Sequence, residues 1–510
     1  MKFDNILSDI NGFGKFQIQL VLIQVLSRIT VPCHFLLNNF MAAIPSHHCN
    51  ISALDNGDLF KNLTLDQQLT VSVPLTPGGS PSSCMMYSKP QYQYLSGYNS
   101  TNKISAVECL NGWVFDNSTF KSTIATEWDL VCHRKGMNKS TATIFFIGVM
   151  FGAPLFGYLS DRFGRRRLLL VSYLCSMTFA ILSAFSSSYA MFCVMRFFTG
   201  MSLAGISIIS IVLNVEWFSI EHRAFSGVII SLDWTVGNWL LALLAYLINE
   251  WRMLILVVTS PLVLAIFAWR WLPESARWLM ANGKADEAHH YIKKCAEMNN
   301  RAKCLSTITP TVENSFILKP ETRIYNSCKC PRFGLAFTYY GISLNITGFG
   351  LNPYLAQFTF GSIEMPMKVG VYFFLEKIGR KPGEIATLLT TGLCLFINIF
   401  VPRDKWVART VVAVLGKAMS EASFTIAYLY TTELYPTVVR LHSLYGSTGR
   451  VHFPLIILLE DVWYLLPSVI YCAVAVSSGL MAFLLPETLN RRLPEFIEDI
   501  DKPSDFIISC

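Results

Sequence analysis

The chain has 510 residues, 52% of them apolar and only 15% charged, against about 25% charged in a soluble protein, and this excludes an ordinary water-soluble globule. The net charge of +7 is not a nucleic-acid footprint, because the basic residues gather beside apolar runs, where Lys and Arg keep loops cytoplasmic. No phosphate-binding loop, HExxH helix or nucleophile–base pattern occurs, so the chain reads as no enzyme, with no catalytic residue, metal ligand or cofactor expected.

Residues 1–16 are polar and lack a basic segment with a cleavable apolar stretch, so they read as a cytoplasmic N-terminus. The apolar run 17–44 is long enough for a first transmembrane helix, which takes about 20 residues. Residues 45–140 are polar and irregular. They carry glycosylation sequons at Asn50, Asn62, Asn99 and Asn117, a fifth at Asn138, and the cysteines Cys49, Cys84, Cys109 and Cys132. That combination reads as a glycosylated, disulfide-bearing extracellular loop. Four cysteines leave three connectivities open.

Five apolar runs follow, near 142–160, 168–187, 190–213, 224–249 and 252–272, giving helices two to six within 141–273. Residues 274–332 are basic, with a helical pattern in "KADEAHHYIKKCAEM", and read as a cytoplasmic central loop. Six more runs, near 333–352, 355–375, 385–402, 407–430, 441–459 and 462–485, fill 333–486, and 487–510 is a cytoplasmic tail. The seventh and eleventh runs are short, which a bilayer tolerates by thinning locally. The expected fold is an all-α membrane protein of twelve transmembrane helices, with a large extracellular loop between the first two.

The two halves repeat each other. "GRRR" begins at Gly164 and "GRKP" at Gly379, an offset of 215. "EWFSIEHR" spaces Glu216 and Arg223 as "ELYPTVVR" spaces Glu433 and Arg440, with the glutamates offset by 217. "LPES" places Glu274 after the sixth run and "LPET" places Glu487 after the twelfth, an offset of 213. Two six-helix halves of this kind imply a site near the midplane, opened alternately to either side.

The segment "GYLSDRFGRRR", with Gly157, Asp161, Arg162, Gly164 and Arg165, resembles the loop between helices two and three of the major facilitator superfamily. "PESARWL", "STIATEWDLVC", "LNVEW", "FFLEKIGRKP" and "TTELYPTVVR" narrow the match. By these motifs the chain is identified as a member of the organic anion and cation transporter family of solute carriers over essentially its whole length. "GFGKFQ", "NFMAAIPSHHC" and "SDRFGRRRLLLV" resemble the anion branch. The resemblance implies a plasma-membrane transporter that exchanges small organic anions, as substrate and counter-anion, by facilitated uptake or antiport. Its oligomeric state is left open.

The loop motif also has a physical reading. Gly157 and Gly164 permit close approach and a tight turn, and Asp161 at a helix end can join the arginines in a charge network. Such a network locks the halves on the cytoplasmic side in one state and releases them in the other. The gating set is Gly157, Asp161, Arg162, Gly164, Arg165, Glu216, Arg223, Glu274 and Arg277, with Glu376, Gly379, Arg380, Glu433 and Arg440 in the second half. A plain positive anchor is the alternative.

Polar groups inside apolar runs are costly in lipid and turn to the bundle interior. They are Arg28, His34, Asn39, Asp233, Lys368, Lys417, Glu421 and Arg450. Cations outnumber anions in this set, and Lys417 and Glu421, at i and i+4, are expected to neutralise each other. A positive cavity suited to an organic anion is what remains. His34 reads as a satisfied interior histidine. The resemblance assigns substrate contact to Asn39, Tyr339, Tyr340, Lys368, Phe424, Tyr428 and Arg450, and aromatic walls with a few charges suit a multispecific pocket. A carrier of organic cations or zwitterions, motivated by Asp233, and a receptor that binds without flux are the rival readings.

Overall fold

Away from water a long apolar stretch must satisfy its backbone internally, and a helix does this without outside partners. The structure, a computed structural model, follows that rule. It describes residues 3–52, 54, 58–76, 81–96, 105–109, 111–219, 222–301, 334–343, 352–402, 405–434, 463, 465–485 and 487. Two units separate, one built from 1–39, 139–247 and 252–510, the other from 40–138 and 248–251.

Among the described residues eight stretches are long and apolar enough to cross a membrane: Lys15–Met41, Cys132–Phe163, Arg165–Ala184, Tyr189–Trp217, Trp251–Trp271, Arg380–Phe400, Val407–Ala427 and Leu466–Leu484. These correspond to runs one to four, six, nine, ten and twelve. The fifth and eighth runs form the helices Arg223–Leu247 and Pro353–Ile378. The seventh is helical over 334–343, and the eleventh lies outside the described residues. The helices carry exposed apolar side chains, such as Phe151, Tyr246, Phe267, Phe373 and Phe400. Their polar residues include a buried set: Gln24, Arg196, Asn214, Glu364, Lys368 and Lys417. That is inside-out relative to a soluble protein and suits a lipid surround.

The first unit is packed by aromatic rings and by small residues. Phe35 meets Phe145, Phe146 and Trp234 edge-on, with ring centroids 5.4 to 5.7 Å apart. A Cβ at Gly148 would strike the Phe197 carbonyl and one at Gly152 that of Met201, so the second and fourth helices touch through backbone, as small residues allow in membranes. The N-terminus is a short helix, Phe3–Asp9, rather than a merely polar lead, and Ile6, Leu7 and the following Ile10 are buried. Asn299, just beyond the helix Ala285–Met298, ties it down. Its amide donates to the carbonyls of Ile10 and Asn11, and its Oδ1 accepts from the Phe16 amide.

Among the described residues the second unit has four short strands: β1 (His47–Cys49), β2 (Met85–Tyr87), β3 (Ala106–Glu108) and β4 (Trp113–Phe115). β1 pairs antiparallel with β4 and β2 with β3. Ile51, Phe60, Val71 and Val73 form one small apolar cluster in this unit, and covalent links add to what a unit of this size buries. Cys49 at the end of β1 is joined to Cys109 just after β3, and Cys84 just before β2 to Cys132, which selects one of the three connectivities. Asn62 and Asn117 are exposed and Asn50 is partly so, while Asn99 lies outside the described residues. Asn138 is buried and donates to the Ala42 carbonyl, so that fifth sequon is no glycan acceptor in this fold.

Peptide mapping of the unreduced protein is expected to recover the Cys49–Cys109 and Cys84–Cys132 pairs and no others among these four. The double change Cys49→Ser with Cys109→Ser, which opens a loop of 60 residues, is expected to cost about 2–4 kcal/mol of stability in this unit. Reduced delivery to the cell surface would register it.

Candidate transport site and cytoplasmic latch

In the bundle interior each charge has to find a partner, because an uncompensated buried ion costs several kcal/mol. The eighth helix carries Glu364 and Lys368, 0% and 1% exposed, and the tenth carries Lys417 and Glu421, 1% and 3% exposed. The expected Lys417–Glu421 attraction is present but is not the shortest pairing. Lys417 Nζ lies 3.0 Å from Glu364 Oε1, and Lys368 Nζ lies 3.0 Å from Glu421 Oε1 and 3.8 Å from Glu364 Oε2. The pairing runs between helices because both lysines reach across the interhelical space. Arg28 meets Asp233, with Nε 2.6 Å from Oδ2. Glu364 therefore reduces the expected positive surplus among the described residues. Among the described residues Arg28, Lys368 and Lys417 face Asp233, Glu364 and Glu421, charge for charge. Arg450 lies outside them.

Neutral groups complete the cluster. Tyr339 donates its hydroxyl to Glu364 Oε1 at 3.0 Å, and Asn238 donates to Oε2 at 3.1 Å. Trp234 donates to the Tyr339 oxygen at 2.8 Å. Lys417 Nζ also donates to Ser343 Oγ at 2.8 Å and sits 3.2 Å from the centre of the Tyr339 ring. Lys368 Nζ also donates to the Ser231 carbonyl at 2.9 Å and to Thr235 Oγ1 at 3.1 Å. Asn39 joins through Ser343 and Gln357, to which its amide donates at 3.0 and 3.3 Å. The fifth and eighth helices thus face each other through polar stripes, closed further by Trp239 Nε1 to Ser362 Oγ.

Aromatic rings wall this cluster. Tyr339 and Tyr340 stand edge to face at 5.1 Å, Phe424 lies 5.3 Å from Tyr339, and Tyr340 lies 5.2 Å from Phe146. Of the residues expected to contact substrate, Asn39, Tyr339, Tyr340, Lys368 and Phe424 come together here. The side chain of Tyr428 is outside the described set, as is Arg450. His34 stands apart. Its Nδ1 accepts from Arg196, and its Nε2 pairs with Thr259 Oγ1. Four residues outside the expected set also take part: Glu364, Asn238 and Trp234 in this cluster, and Arg196 beside His34. The signal for Glu364 was visible in "IEMPMK", a carboxylate four residues before Lys368 inside an apolar run.

The latch is built around a carboxylate at a helix start. Glu274 Oε1 accepts from the backbone amides of Arg165 at 2.9 Å and Arg166 at 3.1 Å. It is an anion at the N-terminus of the third helix, where the helix dipole favours one. Burial pushes its pKa up, while the amide hydrogen bonds pull it back. Arg165 bridges Asp161 at 2.8 Å and Glu216 at 3.1 Å. Arg166 stacks on Trp269, its guanidinium 4.6 Å from the ring centre. In the second half Glu487 repeats the cap, accepting from Arg380 and Lys381 amides at 3.0 Å each.

The charged loop motif predicts a latch that spans the halves. Among the described residues Asp161, Arg165, Arg166 and Glu274 make their contacts inside the first half, because Glu274 is drawn to the helix end nearest to it. Arg162 lies against its neighbour Phe163. Gly157 sits in the second helix and Arg277 in Ala276–Ala281. The side chains of Arg223, Glu376 and Glu433, and Arg440 as a whole, are outside the described set.

Gly164 adopts φ 99°, ψ 150° and Gly379 φ 94°, ψ 165°, a region open essentially to glycine at a cost of about 1–3 kcal/mol for other residues. A Cβ there would lie 2.7 Å from Glu274 Oε2 or 2.9 Å from Glu487 Oε2. Gly164→Ala and Gly379→Ala should each lower the melting temperature of the purified protein and its surface yield. Asp161→Asn, which leaves both caps intact, should lower them less.

The sequence matches the sugar (and other) transporter family over residues 95–499. It is 42% identical over 534 residues to solute carrier family 22 member 7 of Bos taurus, covering 99% of this chain and 97% of the relative. To the Homo sapiens member 7 it is 41% identical over 535 residues, with 99% and 97% covered. To solute carrier family 22 member 6 of Oryctolagus cuniculus it is 35% identical over 527 residues, with 98% and 94% covered. The inward open xylose transporter XylE from E. coli superposes with a TM-score of 0.64 at 15% identity, over 95% of this chain and 99% of that one. The fold is that of the major facilitator transporters, and the chain belongs to solute carrier family 22, within the sugar (and other) transporter family.

Proposed function

We propose that this transporter carries small organic anions across the plasma membrane by alternating access, with both termini cytoplasmic and the disulfide-bonded 45–140 segment outside. One observation carries the reading. The Glu364 carboxylate is held by Lys417, Tyr339 and Asn238, which is a carboxylate receptor occupied by a group of the chain itself. An incoming organic anion needs the same donors, and the rings of Tyr339, Tyr340 and Phe424 supply apolar surface for its hydrocarbon part. Lys368 and Arg450 add the further cationic contacts that the family resemblance assigns. The counter-anion leaves by the same route, so no ATP is consumed. Asp161, Arg165, Glu216 and Glu274, with Arg380 and Glu487, hold each half rigid on the cytoplasmic side, and Arg223, Glu376, Glu433 and Arg440 complete the gate.

A carrier of organic cations is the second reading, favoured by Asp233, which is buried beside the same cluster. Arg28 already compensates Asp233 at 2.6 Å, which weakens it.

Uptake into cells or proteoliposomes separates the two. Lys417→Gln and Lys368→Gln, corrected for surface amount, should lower organic anion uptake at least about tenfold, the size of one lost charge-assisted hydrogen bond. Asp233→Asn should leave more anion uptake than either. Anion uptake indifferent to both lysines, with cation uptake abolished by Asp233→Asn, would select the second reading.

A further inference from the structure

The second unit holds a hollow of about 570 Å³, lined among others by Cys84, Cys109, Cys132, His47, Trp113 and Lys135. Both disulfides reach it. The Ser83 carbonyl lies 3.6 Å from Cys132 Sγ and 3.9 Å from Cys109 Sγ. The two crosslinks differ in what lies behind them. Cys84 and Cys132 are both partly exposed, whereas Cys49 is 0% exposed. Thiol–disulfide exchange needs a thiolate that can reach one sulfur and a place for the negative charge left on the other. Attack on the open end of Cys49–Cys109 leaves that charge on the buried Cys49, away from water. Attack on either end of Cys84–Cys132 leaves it on a partly exposed sulfur.

His47 stands beside that second crosslink, with a ring nitrogen within 4.8 Å of both sulfurs. Its Nδ1 donates to the Pro45 carbonyl at 2.9 Å, and the β1–β4 pairing sets its ring 5.6 Å from that of Phe115. A carbonyl only accepts, so Nδ1 carries the hydrogen and Nε2 keeps a lone pair. Among the described residues Nε2 has no hydrogen-bond partner. Cys132 itself has φ 51°, a left-handed conformation that a residue with a Cβ adopts reluctantly, and opening the crosslink frees it to relax.

We infer that Cys84–Cys132 is a thiol-exchange site, modified by low-molecular-weight thiols with His47 as the proton carrier. The incoming thiol passes its proton to His47 Nε2, and an electron pair of the resulting thiolate forms a bond to one of the two cysteine sulfurs. The Cys84–Cys132 bond breaks, its electron pair stays on the other sulfur, and His47 returns the proton there. One mixed disulfide and one cysteine thiol result, with no further oxidant or reductant. The inference is independent of which ions cross the bundle.

Purified full-length protein in nanodiscs is exposed to 2-mercaptoethanol, quenched with N-ethylmaleimide at intervals and mapped by mass spectrometry. In wild type Cys84–Cys132 should open at least about tenfold faster than Cys49–Cys109, the mixed disulfide appearing on Cys84 or Cys132. His47→Gln should slow the opening of Cys84–Cys132 at least about tenfold and leave that of Cys49–Cys109 unchanged. A merely structural role for His47 predicts the reverse, because a loosened unit exposes both crosslinks and speeds their opening. Equal rates in the folded wild type, or Cys49–Cys109 opening first, overturns the exchange site. A Cys84–Cys132 rate that His47→Gln leaves unchanged or raises overturns the proton transfer through His47. Should His47→Gln fail to fold, the order of opening in wild type decides alone, read against guanidinium-denatured protein in which both crosslinks open at similar rates.

Discussion

The cost of holding an ion away from water organises the interior of this protein. Each charged group of the central cluster is answered by a group of opposite sign or by several hydrogen bonds, and the answers come from different helices. Lys368 and Glu364 on the eighth helix reach Ser231, Thr235 and Asn238 on the fifth. Lys417 on the tenth helix reaches Ser343 on the seventh and Glu364 on the eighth. Satisfying the charges therefore joins the two six-helix halves at the level of the proposed substrate site. Pro366 sits between Glu364 and Lys368, and its missing amide donor weakens the helix at that level.

The loop end that carries Gly164 and Gly379 follows a different logic. There the carboxylates of Glu274 and Glu487 cap the third and ninth helices of their own halves, each beside a glycine whose backbone no other residue adopts readily. The duplicated caps stiffen each half. Rocking of one half against the other needs stiff bodies and a joint that can be remade, and the charged middle, with its exchangeable partners, has the chemistry of such a joint.

Much of this was legible in the residues. The repeated motifs at Gly164 and Gly379, at Glu216 and Glu433 and at Glu274 and Glu487 announced two similar halves, because a cap or a tight turn demands particular residue types at a particular spacing. Lys368 stood out as a cation deep in an apolar run. Its partner did not, since a lone i,i+4 pair reads as local neutralisation. The same rule applied to Lys417 and Glu421 did not give the shortest pairing. Helical spacing says which side chains share a face, and it is silent on whether a neighbouring helix offers a closer partner. The disulfide connectivity was hidden for the same reason. Four cysteines in a loop have no preferred order until β1 pairs with β4 and β2 with β3.

The amino-acid sequence by itself determined that the chain lives in a membrane, that it is a two-fold repeat of helices and that its charged loop motifs belong to a transporter. These are properties of composition, periodicity and local spacing, and each is carried within a few turns of the chain. Only the tertiary structure decided which charge answers which and that, among the described residues, Glu364 joins the central cluster and Asp161, Arg165 and Glu274 grip their own half. Such pairings depend on distances between segments far apart in the chain, set by how the helices pack, and on a low dielectric that makes a difference of one partner worth several kcal/mol.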